Sequence, residues 1–137
     1  MNKKILICED DTVIRNSLLE AFAAEPFEIV LARDGEESLQ IATQNKPDII
    51  ILDISIAKLD GMEVMDRFRE QYDRERSIPI IILSNLNDYD RMMMCVVGND
   101  ISFRPLRQEY LPVGVVQKVK ETFENMRTTY KNMCFYE

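Results

Sequence analysis

The chain has 137 residues, of which 46% are hydrophobic and 30% are charged, a composition typical of one soluble globular domain. Its formal net charge is −7 and its pI is about 4.7, which argues against nucleic acid or an anionic membrane as a direct partner, because either would need a basic face. The chain contains no histidine, which excludes His-based catalysis, and no apolar run approaches the roughly 20 residues of a membrane span.

The three cysteines, Cys8, Cys95 and Cys134, are scattered and show no C-x-x-C spacing. A disulfide framework and a zinc site are therefore both disfavoured, and we expect a reducing, cytoplasmic location. The first four residues lead directly into a strand pattern and lack the profile of a signal peptide.

The first half of the chain alternates between strand and helix patterns. Residues 5–8 form a continuous apolar run, which predicts a strand covered on both faces, as in a parallel sheet. The following stretch has helical spacing, with Ile14 and Leu18 on one face. A second strand is predicted over residues 27–32, and Leu39 marks the second helix.

The second half continues the alternation. Strands are predicted over residues 49–52, 80–83 and 101–103. Val64 marks a third helix, and a helix is the best interpretation of the Met-rich segment 88–97. Val119 belongs to the face of a last helix that should end at about residues 127–130.

A strand–helix unit thus repeats five times, and each connection is long enough for one helix. This order predicts an α/β fold with a doubly wound parallel sheet and right-handed crossovers. We expect one domain over residues 1–130 and a tail over residues 131–137 without a clear assignment.

Polar residues stand where the predicted strands end. Glu9 and Asp10 follow the first strand, Asp53 the third, Ser84 the fourth and Arg104 the fifth. The carboxyl ends of parallel strands meet at one edge, where α/β folds form their sites. Carboxylates gathered at that edge repel one another unless a cation neutralises them, and an oxygen cluster without His or Cys suits Mg²⁺.

Simpler explanations stay open for each residue taken alone. Asp11 or Thr12 would cap the first helix, and an acidic triplet after a strand is as often a helix cap as a metal ligand. A single Asp after a strand, such as Asp53, is commonly a turn residue. The co-occurrence of these residues at successive strand ends favours a site.

In these positions the chain resembles a response-regulator receiver domain over roughly residues 3–126. The matching segments read ILICEDD, PDIIILDISIAKLDGMEV, IPIIILS and GNDISFRPL. The resemblance implies a flavodoxin-like (β/α)5 fold whose five-stranded sheet has the order 2-1-3-4-5.

The resemblance also implies roles for individual residues. Glu9 and Asp10 match the acidic pair that holds Mg²⁺, and Asp53 matches the phosphoacceptor, which also ligates the metal. Ser55 would add its backbone carbonyl to the metal ligands. Ser84 matches the hydroxyl residue that hydrogen-bonds a phosphoryl oxygen.

The chain departs from the family pattern at several positions. Arg104 replaces a lysine, which is not a conservative exchange, and Asn85 replaces a small residue beside the phosphate. Ile101 replaces the family's switch aromatic, although Phe103 on the same strand face could partly substitute for it. Ala57 replaces a proline. These departures concern activation and leave the fold unaffected.

The first functional hypothesis is therefore a signalling domain, not an enzyme in the usual sense, that accepts a phosphoryl group on Asp53 with Mg²⁺. A second hypothesis is a degenerate receiver that acts as a phosphorylation-independent interaction module. A distant third is a phosphatase of the haloacid dehalogenase type, whose nucleophilic Asp follows the first strand, whereas Asp53 follows the third.

The expected partners are proteins. A histidine kinase or a phosphotransfer protein would supply the phosphoryl group. A downstream protein, or a second copy of the chain, would bind the face formed by the fourth helix (predicted at 88–97), the fifth strand (101–103) and the last helix, which the family names α4–β5–α5. No direct contact with nucleic acid or membrane is expected.

Overall fold

The computed structural model describes residues 2–53, 63–64, 66–67, 78–84, 103–107 and 113–128. The strands are β1 (Lys3–Cys8), β2 (Phe27–Ala32), β3 (Ile49–Asp53), β4 (Ile80–Ser84) and β5 (Phe103–Arg107). The helices are α1 (Thr12–Phe22), α2 (Gly35–Asn45) and a last helix (Val113–Thr128). Residues 63–64 and 66–67 are also helical.

The described strands form one sheet in the order β2-β1-β3-β4-β5, and every neighbouring pair is parallel. β3 lies inside the sheet and is buried at all of its positions. Its sequence, Ile-Ile-Ile-Leu-Asp, is continuously apolar up to its last residue because both faces of a parallel sheet are covered. The β1 and β3 strands are neighbours, so their carboxyl ends meet.

Two hydrophobic cores cover the two faces of the sheet, and alternate residues of each strand point to opposite cores. Ile5 and Ile7 of β1 pack with Leu18 of α1 and Val119 of the last helix. Leu6 and Cys8 pack on the other side with Leu39 of α2, Ala42 of α2 and Val64. The prediction of a parallel α/β sheet with helices on both faces is therefore confirmed.

Aspartates cap the two helices that follow β1 and β2. Asp11 accepts hydrogen bonds from the backbone N–H groups of Val13 (2.8 Å) and Ile14 (3.1 Å) at the start of α1. Asp34 accepts one from Glu37 (2.8 Å) at the start of α2. These bonds satisfy donors that a helix leaves unpaired in its first turn.

The predicted end of the fifth strand is wrong, whereas residues 101 and 102, where it was expected to begin, lie outside the described residues. The strand was expected over residues 101–103, with Arg104 and Pro105 beyond its end, but β5 runs over Phe103–Arg107. Proline usually ends a strand because it has no N–H to donate. Among the described strands, β5 lies at the edge of the sheet and has β4 as its one neighbour, so it tolerates a proline in its interior.

Several expectations concern segments outside the described residues. The predicted helix over 88–97 and the tail over 131–137 belong to these segments. Within the part of the chain that the structure describes, no helix has the length and apolar character needed to cross a bilayer.

Candidate metal centre at the carboxyl edge of the sheet

Three acidic residues meet where β1 and β3 end. Cys8 is level with Leu52 in the paired strands, so the next residues, Glu9 and Asp53, lie side by side. One carboxylate oxygen from each of Glu9, Asp10 and Asp53 lies within 4.8 Å of the others. The predicted clustering of these three acids at one edge of the sheet is therefore what the structure shows.

The three carboxylates differ in their exposure to solvent. Glu9 is 0% exposed and Asp53 is 4% exposed, whereas Asp10 is exposed. Among the described residues, no hydrogen-bond partner reaches either carboxyl oxygen of Glu9. A buried carboxylate without donors is destabilising, since its hydration is lost and nothing replaces it.

The protonation of Glu9 reflects this environment. Burial raises the pKa of Glu9 to about 10, and Asp53, with which only a protonated Glu9 could share a hydrogen bond, raises it further, as do the negative charges of Asp53, Asp10 and Asp11. A proton on Glu9 would give this carboxyl a hydrogen bond to Asp53. A cation between the carboxylates would serve the same purpose by neutralising the repulsion.

The chemistry of the cluster fits Mg²⁺. All three side chains offer hard oxygen ligands, two from buried positions and one from the solvent side. Mg²⁺ takes one or two carboxylates and keeps several waters. The neighbouring Cys8 offers no soft ligand, because its side chain lies in the core on the α2 side and burial raises the pKa of its thiol to about 12.

The capping alternative applies to a different residue of the acidic triplet. Asp11 is the N-cap of α1, which is one of the two candidates that the sequence offered. Glu9 and Asp10 precede the cap, so helix capping by Asp11 does not account for their clustering with Asp53. The triplet thus combines a cap with two residues of the cluster.

The remaining predicted residues are placed only in part. Asp53 is level with Leu83, so Ser84 lies one residue further along the neighbouring strand. Arg104 is level with Ile81, and it is Arg107 that is level with Ser84. The expectation that residue 104 ends its strand at this edge is therefore wrong in the observed register. For Ser84, Arg104 and Arg107, only the backbone is described.

Two further predicted residues, Ser55 and Asn85, lie outside the described residues, as do Ala57 and Ile101. Sequence reasoning also overlooked the turn between β2 and α2, whose backbone contacts the acidic cluster. The backbone N–H of Glu9 donates to the carbonyl of Ala32 (3.0 Å). The spacing of Asp34 and Glu37, three residues apart at a helix start, is the signal that could have drawn attention to this turn.

Comparison with protein families identifies the same architecture. Residues 5–99 match the family model described as "Response regulator receiver domain". The chain is 36% identical over 101 residues to the alkaline phosphatase synthesis transcriptional regulatory protein PhoP of Bacillus subtilis (strain 168), a match that covers 73% of this chain and 41% of that protein.

A second relative is the probable transcriptional regulator ycf27 of Cyanophora paradoxa, 38% identical over 122 residues, which cover 88% of this chain and 49% of that protein. The chain thus spans less than half the length of these relatives. Among solved structures, the receiver domain of the Francisella response regulator 1452 matches with a TM-score of 0.76 and 24% identity, covering 93% of this chain and 100% of that one.

The fold, the acidic cluster and the family match agree, and this chain belongs to the response regulator receiver domain family.

Proposed function

We propose that this receiver domain accepts a phosphoryl group on Asp53 from a histidine kinase or a phosphotransfer protein, and that the modification changes its binding to other proteins. The observation that carries the proposal is the buried carboxyl of Glu9, which has no donor among the described residues and lies with Asp10 and Asp53 in one cluster. A buried carboxyl beside two other acids is unfavourable by itself, and a bound cation would explain the arrangement.

The reaction assigns a separate task to each acid. A carboxylate oxygen of Asp53 attacks the phosphorus of the donor, and the bond between phosphorus and the donor's nitrogen breaks as the acyl phosphate forms. Glu9, Asp10 and Asp53 would hold the metal, and the family resemblance implies the backbone carbonyl of Ser55 as a further ligand. Bound Mg²⁺ would supply charge neutralisation, which phosphoryl transfer needs in addition to positioning.

Two further groups would contact the transferred phosphoryl. We assign a hydrogen bond from the hydroxyl of Ser84, which follows the residue level with Asp53. Arg104 occupies the lysine position of the family motif, whereas the observed register puts Arg107 level with Ser84. Either guanidinium could bind phosphoryl oxygens through its planar fork.

The bounds of the domain, its partner-binding face and its location are part of the same proposal. We assign residues 1–130 to the receiver domain with a complete (β/α)5 repeat, and residues 131–137 to a tail. The downstream partner, or a second copy of the chain, binds the face of the fourth helix, β5 and the last helix. The scattered cysteines fit a cytoplasmic location.

A degenerate receiver is the second candidate. Arg104 and Asn85 stand where the family has a lysine and a small residue. A forked ion pair to Asp53, from Arg104 or from Arg107 in the observed register, would stabilise the resting carboxylate, and Asn85 would add bulk beside the phosphate. In this case the domain keeps the fold and binds its partner without phosphorylation.

Phosphorylation in vitro separates the two candidates. With acetyl phosphate and Mg²⁺, we expect slow uptake of one phosphoryl group, detected by intact mass, and none in Asp53→Ala. The double variant Arg104→Lys, Asn85→Ala should react faster. Arg104→Ala and Arg107→Ala, compared side by side, identify the arginine on which uptake depends.

Two results would contradict the phosphoacceptor proposal. If the wild type takes up neither a phosphoryl group nor beryllofluoride while the double variant does, the domain is a degenerate receiver and the phosphoacceptor proposal is withdrawn. Uptake that persists in Asp53→Ala would show that another residue is the acceptor.

A further inference from the structure

We propose that Glu37, in the first turn of α2, is a positioning residue for Glu9, and that it acts through the backbone of the turn between β2 and α2. The inference rests on the proposed metal site, to which it adds a residue outside the acidic cluster. It concerns how Glu9, a buried residue whose carboxyl group has no hydrogen-bond donor among the described residues, is held in place.

The position of Glu9 depends on its backbone. Among the described residues, no side chain or backbone group donates a hydrogen bond to its carboxyl oxygens, so within this part of the chain its position rests on its backbone. The backbone N–H of Glu9 donates to the carbonyl of Ala32 at 3.0 Å. This bond continues the pairing of β1 with β2 one residue beyond Cys8, which is level with Ala32.

Side chains of α2 hold the turn that begins after Ala32. The backbone N–H of Arg33 donates to Oε1 of Glu37 at 3.0 Å. In return, the N–H of Glu37 donates to Oδ1 of Asp34 at 2.8 Å, and the hydroxyl of Ser38 donates to the carbonyl of Asp34 at 2.8 Å. This reciprocal pattern is a variant of the capping box.

The two sets of bonds share one peptide unit. The carbonyl of Ala32 and the N–H of Arg33 belong to the same planar peptide group, whose oxygen accepts from Glu9 and whose nitrogen donates to Glu37. The side chain of Glu37 therefore fixes the orientation of the group that holds the backbone of Glu9. Loss of this bond frees the peptide to rotate and weakens the hold on Glu9.

Packing also holds α2 against the end of β1. Leu39 of α2 and Cys8 of β1 lie in the same hydrophobic core, and Cys8 directly precedes Glu9. The start of α2 is therefore held beside the end of β1 by core packing as well as by the hydrogen bonds of the turn.

Glu36 provides a matched control. It is the neighbouring acid in the first turn of α2, so both residues interact with the helix dipole in the same way. Glu36 is exposed and lies on the surface groove between α2 and Arg67, whereas Glu37 bonds the backbone of Arg33. Removing either acid changes the charge equally, but only Glu37 contacts the shared peptide.

The test combines amide hydrogen exchange with Mg²⁺ titration on the whole chain. In the metal-free protein, Glu37→Ala should raise the exchange rate of the Glu9 and Arg33 amides about fivefold, the factor that corresponds to the loss of a hydrogen bond worth about 1 kcal/mol. Mg²⁺ affinity should fall about tenfold, the lower end of the range for residues that orient metal ligands. Glu37→Gln keeps the acceptor oxygen and should retain both properties, and Glu36→Ala should resemble the wild type.

Each outcome decides the inference. Unchanged exchange at Glu9 in Glu37→Ala would overturn it. So would a loss of Mg²⁺ affinity in Glu37→Gln and Glu36→Ala as large as in Glu37→Ala, because charge alone would then be responsible. If the wild type binds no Mg²⁺, the proposed metal site fails, and the exchange rates alone decide whether Glu37 positions Glu9.

Discussion

At the scale of single residues, Glu9 combines features that are rarely found together. It is completely buried, it has no hydrogen-bond partner among the described residues, and it lies against Asp53 and Asp10. A buried carboxylate that lies beside two other acids is unfavourable unless a proton or a cation neutralises it.

We predict that Glu9→Gln stabilises the metal-free domain and that the gain grows between pH 5 and pH 8. The pKa of Glu9 is raised from 4.5 to about 10 on folding, so above 4.5 the folded state binds a proton that the unfolded state releases. The stability contributed by the protonated carboxyl is complete below 4.5 and is lost as pH rises towards 10. Glutamine does not titrate and avoids this loss.

The measurement is urea denaturation of both proteins in EDTA at several pH values. Titration of groups away from the cluster is common to both proteins, so the difference between them reports Glu9 together with the acids that interact with it. A difference in unfolding free energy that is constant over this pH range would contradict the raised pKa. Glu9→Gln should also weaken Mg²⁺ binding, since it removes a charged ligand.

At the scale of elements, a helix cap and two residues of the acidic cluster stand next to each other in the sequence. Asp10 belongs to the acidic cluster, and Asp11 caps α1. The two residues differ in what surrounds their side chains: backbone N–H groups bond to Asp11, and carboxylates lie beside Asp10. An acidic triplet after a strand can thus serve two tasks at once.

We expect substitutions of Asp10 and Asp11 to have different effects. Asp11→Ala should lower the free energy of unfolding by about 1 kcal/mol, the usual effect of losing an N-cap, and leave most of the Mg²⁺ affinity. Asp10→Asn should abolish most Mg²⁺ binding and leave α1 capped. Denaturation in EDTA and Mg²⁺ titration measure the two effects.

Asp11→Asn is the matched control for this comparison, because asparagine keeps the cap and removes the charge. If Asp11→Ala reduced Mg²⁺ affinity as strongly as Asp10→Asn, the assignment of separate tasks would be wrong.

At the scale of the whole molecule, the fold brings acidic residues together although the chain already carries an excess of negative charge. The net charge is −7, and the sheet brings three acids together at one edge. Self-repulsion of this kind destabilises the compact state. The two hydrophobic cores, one on each face of the sheet, offset it in the absence of metal.

Millimolar Mg²⁺ should therefore raise the melting temperature of the domain. A ligand that binds only the folded state stabilises it by about 2.7 kcal/mol at a concentration of 100 times its Kd. Asp10→Asn should lose most of this gain. Thermal unfolding with Mg²⁺ and with EDTA at equal ionic strength provides the measurement, and an unchanged melting temperature of the wild type would refute the metal site.

Much of the fold could be predicted because its signals are local. Continuous apolar runs mark β1, β3 and β4, and the acids that follow β1 and β3 come together because parallel strands end at one edge. The bounds of β5 could not be predicted in this way. Pro105 indicates a strand end in most contexts, and only the position of β5 at the edge of the sheet makes an interior proline acceptable.

By itself, the sequence determined the α/β class, through the periodicity of its apolar residues, and the grouping of Glu9, Asp10 and Asp53, through their places at strand ends. The resemblance to receiver domains came from the matching sequence segments. Tertiary structure alone decided that Glu9 is the buried member of the acidic pair, that Asp11 is the cap, and that Arg107 is level with Ser84. It also revealed the peptide group shared by Glu9 and Glu37. Burial, register and backbone contacts depend on which distant segments become neighbours, and local sequence patterns do not contain that information.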